Sequence, residues 1–541
     1  MLHRRKKLGT LAAALAMVMA AAGGCGNGEA SEGKSPASEA GESNVSAQAE
    51  STEEALKNIN AGDEDLSEIT VAFYNTIVPT KDNISRIEDA INDITIPEIH
   101  TKVTLNIISM GQWDQQINLM LSSGEKLDLM PTFFAGSTAF NTMSGTNQLA
   151  PLNDLLDEYG QGILETVPKD YLETTSFDNK IYAVPIYRDV VGYLYYAMRT
   201  DILEELGLTE QAENISSMQD IEELLKIVKE KTDLVPICET AASGILAFQY
   251  VMVSGDFEDA FFYDRLLNEY IVSSNEEPEH VTSLYDLEEY KECITLFEKW
   301  FNEGLVNKDA ATAEEHAEYH IAAGNTFSTF YSAETSTANA FRTKAEYPVT
   351  IIEVCEVPMT TGNVNTLNWV IPVTSQEPEA AMKFMNMMYT DERIVNLLNY
   401  GQKDVDYIIK ADGTLTFPDG KDIGSVGYHF ETSWLFGNQF LAGVWEGDSA
   451  DLRERALEIN QNAKRSPIFG FTGSGNGMDT QLAGILSACN EYANGLQCGV
   501  MDVEENFPKF KDKLKAAGID DVVISVQEQL DGWLADKEGE K

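Results

Sequence analysis

The sequence predicts an α/β fold with helix in excess, and three features carry that expectation. Short apolar runs alternate with helical runs from Ile69 to Met130, the residues beyond the N-terminal segment number about 475, and the tail is a succession of helical patterns. A length of that order predicts two or more structural units, because a single core stops growing well before it. Apolar strands that alternate with helices argue a mainly parallel sheet covered on both faces.

In order, Ile69 to Tyr74 reads as a buried strand and Asn83 to Ile99 as a helix, with Ile84, Ile87, Ile91 and Ile94 at helical spacing. Val103 to Ile108 alternates like a strand, Gln112 to Ser123 is an amphipathic helix, and Leu127 to Met130 is a short strand. In such β-α-β-α-β arrangements ligands bind beyond the carboxyl ends of the strands, which singles out Tyr74, Asn75 and the Pro131 to Phe134 segment. A second unit opens with the strand-like stretches 180–185 and 192–198, followed by helices at 201–206 and 218–229 and a strand at 234–237. Helical patterns cover 286–302 and 311–323, strands 327–331, 349–357 and 369–372, and helices 379–389, 391–399, 480–496, 506–516 and 520–535. A chain that leaves one sheet near Asp189 and returns near Trp369 forms two lobes with one cleft.

The N-terminus reads as a secretory signal. Arg4, Arg5, Lys6 and Lys7 precede an apolar run from Leu8 to Ala22 that is too short and too rich in small residues to span a bilayer. Ala22-Gly23-Gly24-Cys25 resembles the bacterial lipobox, with Ala22 where Leu is usual, and the resemblance implies cleavage before Cys25 and lipidation of that cysteine. Residues 25–66 are rich in Ser, Ala, Gly and Glu without an aromatic ring and cannot bury enough apolar surface to offset their ordering entropy, so they read as a disordered, lipid-anchored tether. No later window is apolar for the roughly 18 residues a transmembrane helix needs.

The formal net charge is −50, and removing the four basic residues of the signal takes it to about −54. Such a field repels nucleic acid and anionic lipid and argues against both as binding partners. Cys238, Cys293, Cys355, Cys489 and Cys498 are odd in number and scattered, which reads as mostly buried small hydrophobes. A Cys489–Cys498 bridge stays open, although nine residues apart on one helix the two would face opposite ways.

Four segments together resemble the carbohydrate-type, family 1 extracellular solute-binding proteins of ATP-driven importers. They are Met120 to Asp128 (MLSSGEKLD), Leu149 to Tyr159 (LAPLNDLLDEY), Phe177 to Pro185 (FDNKIYAVP), and a C-terminal set comprising Ser466 to Phe471, Lys515 to Asp520 and Gln527 to Trp533. Asn179 stands where the family pattern has Gly, and 401–407 lacks the Glu-Gly that relatives place before the Tyr. The C-terminal set, with Trp434 to Phe440 (WLFGNQF), is similar to a subgroup that carries an extra C-terminal domain of unknown function.

What the resemblance implies is a two-lobe, type II periplasmic-binding-protein-like fold with hinged lobes and the ligand between them. Lobe 1 is expected at 67–190 plus about 370–425, and lobe 2 at 191–369 plus about 426–541 with the C-terminal helical extension. The implied role is the substrate-binding component of an ABC transporter: a monomer that captures a carbohydrate, of oligosaccharide size, outside the membrane and delivers it to permease subunits by lobe closure.

A sugar presents apolar ring faces and a rim of hydroxyls, so its site needs aromatic platforms beside amides or carboxylates. Residues of that kind at expected strand ends are Tyr74, Asn75, Phe133, Tyr187, Arg188, Asp189, Phe248, Gln249, Tyr331, Asn368, Trp369 and Trp434. Core packing is the competing reading for each aromatic, and a rim salt bridge for Arg188 with Asp189. His316 and His320 lie four apart, a spacing that can serve a metal. The flanking glutamates favour a solvated face, and no metal, cofactor or catalytic residue is assigned. The 472–477 segment (TGSGNG) lacks the Lys and Ser/Thr of a phosphate cradle and reads as a turn. Two other functions are weighed against the binding protein. One is an exported glycoside-processing enzyme using paired carboxylates, and the other a metal-sensing lipoprotein using the two histidines.

Overall fold

The computed structural model describes residues 66–134, 136–177, 179–240, 251–268, 270–313, 315–334, 341–342, 344–430 and 432–539. Cys25, the leader and the tether, together with Phe248 and Gln249, lie outside the described residues.

The first lobe starts as the alternation predicts. Strand β1 (Ser67–Asn75), helix α1 (Lys81–Ile99), strand β2 (Thr101–Ser109) and helix α2 (Trp113–Ser123) follow one another, and β1 pairs with β2 in parallel from Ser67–Thr101 to Asn75–Ser109. Thr80 caps α1 through its side chain, His100 closes it in the left-handed region at φ 50°, and Gly124 does the same for α2 at φ 72°. Strands β3 (Met130–Pro131) and β4 (Val184–Pro185) are short. Asn179, in the place of the family's Gly, has φ 61°, a conformation that Asn tolerates better than other side chains, so the replacement keeps the turn.

The chain then crosses into the second lobe, where the core-forming elements are β5 (Gly192–Arg199), α3 (Met218–Lys231), β6 (Val235–Ile237), β7 (Val251–Met252), β8 (Phe261–Leu267), β9 (Ile271–Ser274), β10 (Val281–Ser283), α4 (Glu288–Asn302), β11 (Thr326–Glu334) and β12 (Val349–Glu356). One sheet has the order β12-β5-β11-β6, the other β10-β9-β8-β7. Glu222 of α3 is sealed inside, where it accepts from Trp300 Nε1 at 2.9 Å and Lys299 Nζ at 2.7 Å and so clamps α3 to α4. The helix expected at 311–323 is confined to Ala317–Ala322, with His316 at its N-cap.

Strand β13 (Asn368–Val370) returns to the first lobe and inserts between β3 and β4, and helices α5 (Pro378–Thr390) and α6 (Glu392–Tyr400) pack beside it. The tail helices α7 (Asp479–Gln497), α8 (Val503–Ala517) and α9 (Ile519–Gly539) join β8 to β10 and α4 in a core of their own, built on Leu266, Ile271, Ile294, Phe510, Val522 and Leu530. No helix among the described residues is long and apolar enough to cross a membrane. No disulfide joins the five described cysteines; Cys238, Cys293 and Cys498 are buried, and Cys489 Sγ lies 3.2 Å from the Tyr285 hydroxyl.

Three segments run between the cores of the two lobes. The first runs through Tyr187 to Val191. The second is Val357 to Thr360, where Val357 N–H donates to Gly192 O and Met359 N–H to Lys464 O, so the return is made some ten residues before Trp369. The third is 464–466, bridged in parallel to the second at Met359–Arg465. Tyr428, Phe430, Leu435, Phe436 and Ala463 belong to the first core. Phe430 and Phe436 meet Phe73 of β1 edge-on at 6.0 and 4.9 Å, and Phe436 lies 6.3 Å from Trp369 of β13, a long-range fit that a local pattern does not carry.

Beside the third crossing, Asp264 of β8 is buried and takes a hydrogen bond from the Ser466 hydroxyl. Burial pushes its carboxyl up to about 7. An unfolded Asp releases its proton near pH 4, so between pH 5 and 7 the folded state holds the extra proton and stability falls as pH rises. Glu239, also buried and pushed up to about 8, acts in the same direction. Asp264→Asn is expected to flatten the stability slope by up to about 1.4 kcal/mol per pH unit in that window, leaving Glu239's share. Urea midpoints taken at pH 5, 6 and 7 measure it, and an unchanged slope refutes the assignment.

Candidate ligand-binding site

Strand β5 sorts its side chains by the strand period of two. Leu194, Tyr196 and Met198 enter the core of the second lobe, which puts Tyr193, Tyr195 and Ala197 on the opposite face. Tyr331 of β11 pairs with Tyr195, and their rings stack at 5.1 Å and 23°; Tyr193 and Tyr195 lie 5.8 Å apart. On the other side of β5, a β-bulge between Glu353 and Cys355 changes the register of β12. Glu353 therefore faces Tyr195 and Glu356 faces Tyr193, and two carboxylates three residues apart share one face.

That face is divided along its length. At one end Phe341 stacks on Tyr331 at 4.1 Å and, with Ala197, Ile321, Ala345 and Val349, forms a small closed core. At the other end Tyr193 and Tyr195 stay half-buried, and Glu353 and Glu356 are exposed. Tyr193 also packs against the core of the first lobe, which puts this end of the face at the crossing. Burial and the charges of Glu356, Glu353 and Asp189 push the Tyr193 phenol up to about 12, and burial and Glu353 raise that of Tyr195. Both phenols thus remain protonated donors next to carboxylate acceptors.

The first lobe contributes a second aromatic cluster. Tyr74, wholly buried, meets Trp113 and Phe133 edge-on at 5.0 and 4.9 Å, and its hydroxyl donates to Thr132 O at 3.3 Å. Phe133 leads on to Phe134 at 5.3 Å, and Phe134 to Trp434 at 5.8 Å. Phe134 is 49% exposed, the open end of the cluster. Asn75, buried at the end of β1, accepts from Thr76 and from the Ile77 N–H, while its Nδ2 has no partner among the described residues.

Arg188 joins the two sides. It donates to the backbone carbonyls of Asp189 at 2.9 Å and Asn363 at 3.1 Å, lies 3.6 Å from Glu334 at the end of β11, and exerts its charge on Tyr74. The Trp434 to Phe440 segment holds this crossing in place. Tyr187 N–H donates to Gly437 O, Gln439 N–H to Tyr187 O, and Asp189 N–H to the Gln439 side chain, each at 2.9 Å. Gly437 has φ 53°, and a Cβ there would collide with the backbone of Met388, so no other residue fits the strap.

Of the residues singled out from sequence, Phe133 and Trp434 lie in the first-lobe cluster with Phe134, Arg188 and Asp189 at the crossing, and Tyr331 on the second-lobe face. Tyr74, Tyr187, Asn368 and Trp369 are core residues: Asn368 bonds Asn365 and Thr132, Trp369 donates to Leu435 O, and Tyr187 packs on Phe440 at 5.0 Å. An aromatic next to an amide at a strand end marks a sheet terminus, and long-range packing decides whether the terminus is open or sealed. Tyr193, Tyr195, Glu353 and Glu356, which share this face, were not among the residues singled out from sequence. The alternation of Tyr193 and Tyr195 was visible, but not which face was open, and the bulge that brings in Glu356 has no signature in the residues.

Residues 89–393 match the family described as bacterial extracellular solute-binding protein. The chain belongs to that family. Residues 467–535, which span α7, α8 and most of α9, match a domain of unknown function, DUF3502. Among curated proteins it is similar to a carbohydrate ABC transporter substrate-binding protein of Streptococcus pneumoniae serotype 4, at 22% identity over 466 residues, 84% of this chain and 89% of the relative. Among solved structures it resembles the N-glycan transport solute-binding protein NgtS of S. pneumoniae, with TM-score 0.73, 20% identity, and coverage of 87% of this chain and 100% of that one. NgtS in complex with Man5GlcNAc gives TM-score 0.63 at 21% identity, covering 87% and 99%. An HMO-binding, ABC-transporter-associated solute-binding protein of Bifidobacterium longum infantis gives 0.59 at 17% identity, also covering 87% and 99%. The two-lobe α/β fold expected from the sequence is the fold of these proteins.

Proposed function

We propose that the chain is the substrate-binding component of an ABC importer that captures an oligosaccharide between its lobes and hands it on unchanged. The observation that carries the reading is the pairing of a half-open tyrosine face on one lobe with an aromatic cluster on the other, linked by the Arg188 crossing. Aromatic faces suit the apolar faces of pyranose rings, and the neighbouring phenols, carboxylates and Asn75 amide suit their hydroxyls. A guest that touches both lobes stabilises the closed state by the difference in its affinity for the two, which gives a permease a state to read without covalent chemistry. The carbohydrate relatives support the sugar class. The basic leader and the Cys25 motif support export and anchoring by a lipid on Cys25, and the permease subunits are the protein partners of a monomer.

A thermal-shift screen of mono- and oligosaccharides with the mature chain tests this. An oligosaccharide is expected to raise the melting temperature by an amount that grows with its concentration, and to be recovered intact. Turnover of the sugar refutes the proposal in favour of an exported glycosidase, and stabilisation by peptides or metals alone removes the carbohydrate assignment.

A further inference from the structure

The open part of the tyrosine face is charged in one sense. Glu353 and Glu356 are exposed there opposite Tyr195 and Tyr193, and Asp189 lies close enough to act on both phenols. Burial first, and after it the charge of Glu356, raise the Glu353 carboxyl. Among the described residues, Arg188 and Arg342 carry positive charge beside this face. Arg188 is committed to two backbone carbonyls and lies beside Glu334, and Arg342 acts on Tyr331 at the closed end while donating to Val349 O. Arg188 thus holds both terminal nitrogens on carbonyls of its own chain, with its buried Nε left without a hydrogen-bond partner among the described residues, and Arg342 lies toward the closed end. A carboxylate pair accepts hydrogen bonds from adjacent sugar hydroxyls, and it repels a ring that carries a carboxylate of its own.

Resting on the reading of the site as a sugar cleft, we infer that the Tyr193–Tyr195 face is a subsite for an uncharged sugar ring, and that Glu353 and Glu356 make the protein select neutral over acidic oligosaccharides. Stacking on the tyrosines supplies affinity without regard to charge, and the two carboxylates supply the discrimination. The bulge at 353–355 is the structural device, because without it Glu353 and Glu356 would lie on opposite faces of β12.

The test compares two probes on the mature chain: a neutral mannose–N-acetylglucosamine oligosaccharide, and one of equal length capped by a glucuronic acid. The neutral probe is expected to bind about tenfold or more tightly at about 50 mM salt, and the gap to narrow at about 500 mM, where exposed charges are screened. In the Glu353→Gln, Glu356→Gln double variant the gap is expected to fall below about threefold, through gained affinity for the acidic probe. Equal binding of both probes by the natural chain overturns the inference and leaves the sugar-binding reading standing. An undiminished gap in the double variant overturns it as well. Failure of both probes to bind removes the reading and the inference together. Should the double variant not fold, the salt titration of the natural chain decides, and a gap insensitive to salt counts against the carboxylates.

Discussion

Alanine at Trp369 is expected to cost about 3–5 kcal/mol of stability, the range for deleting a buried tryptophan. The residue has no exposed surface, sits on the central strand of a three-stranded sheet opposite Pro131 and Val184, and packs near Phe436. Its indole N–H donates to Leu435 O at 2.8 Å, so truncation opens a cavity and also strands a buried carbonyl. That carbonyl lies in the strap that holds the Tyr187 crossing, so the damage should spread to the hinge. Trp369→Phe keeps most of the ring volume and loses the N–H, and is expected to cost about 1–3 kcal/mol. Denaturant midpoints of the unliganded protein measure both. A loss under about 1 kcal/mol for the alanine variant would return Trp369 to the list of ligand contacts.

The double substitution Tyr193→Ala, Tyr195→Ala is expected to weaken binding of the best-stabilising oligosaccharide by about 100-fold. Two aromatic contacts at roughly 1 kcal/mol each, with the loss of two phenol donors at roughly 0.5 kcal/mol each, amount to about 3 kcal/mol. Both rings are only half-buried, so stability should change far less than at Trp369. Tyr196→Phe is the counterpart on the same strand. Tyr196 lies wholly inside, its hydroxyl donating to Ser328 Oγ at 2.8 Å, and its loss should lower stability by about 1 kcal/mol and leave affinity untouched. Titration calorimetry on the three proteins separates the two faces of β5. An affinity loss under about threefold in the double variant would place the sugar elsewhere.

Much of the first lobe was legible because its signals are local. The Ile87 and Ile91 spacing of α1, the alternation of β2 and the Gly124 stop after α2 each follow from a few consecutive residues, and each appears within two residues of its expected place. The antiparallel sheet β10-β9-β8-β7 was not legible. Its strands are short, and β8 carries Asp264 and Arg265 in its middle, where a buried carboxyl partnered by Ser466, two hundred residues away, looks like loop chemistry.

The sequence by itself determined which residues share a face, because the periods of strand and helix are properties of the backbone: Tyr193 with Tyr195, and Leu194 with Tyr196 and Met198. Tertiary structure alone decided which face is covered and how far. The Phe341 core seals one end of the tyrosine face, the strap at 434–440 fixes the crossing, and a one-residue bulge turns Glu356 toward Tyr193. Those outcomes depend on contacts between segments that are distant in the chain, whose energies no local pattern records.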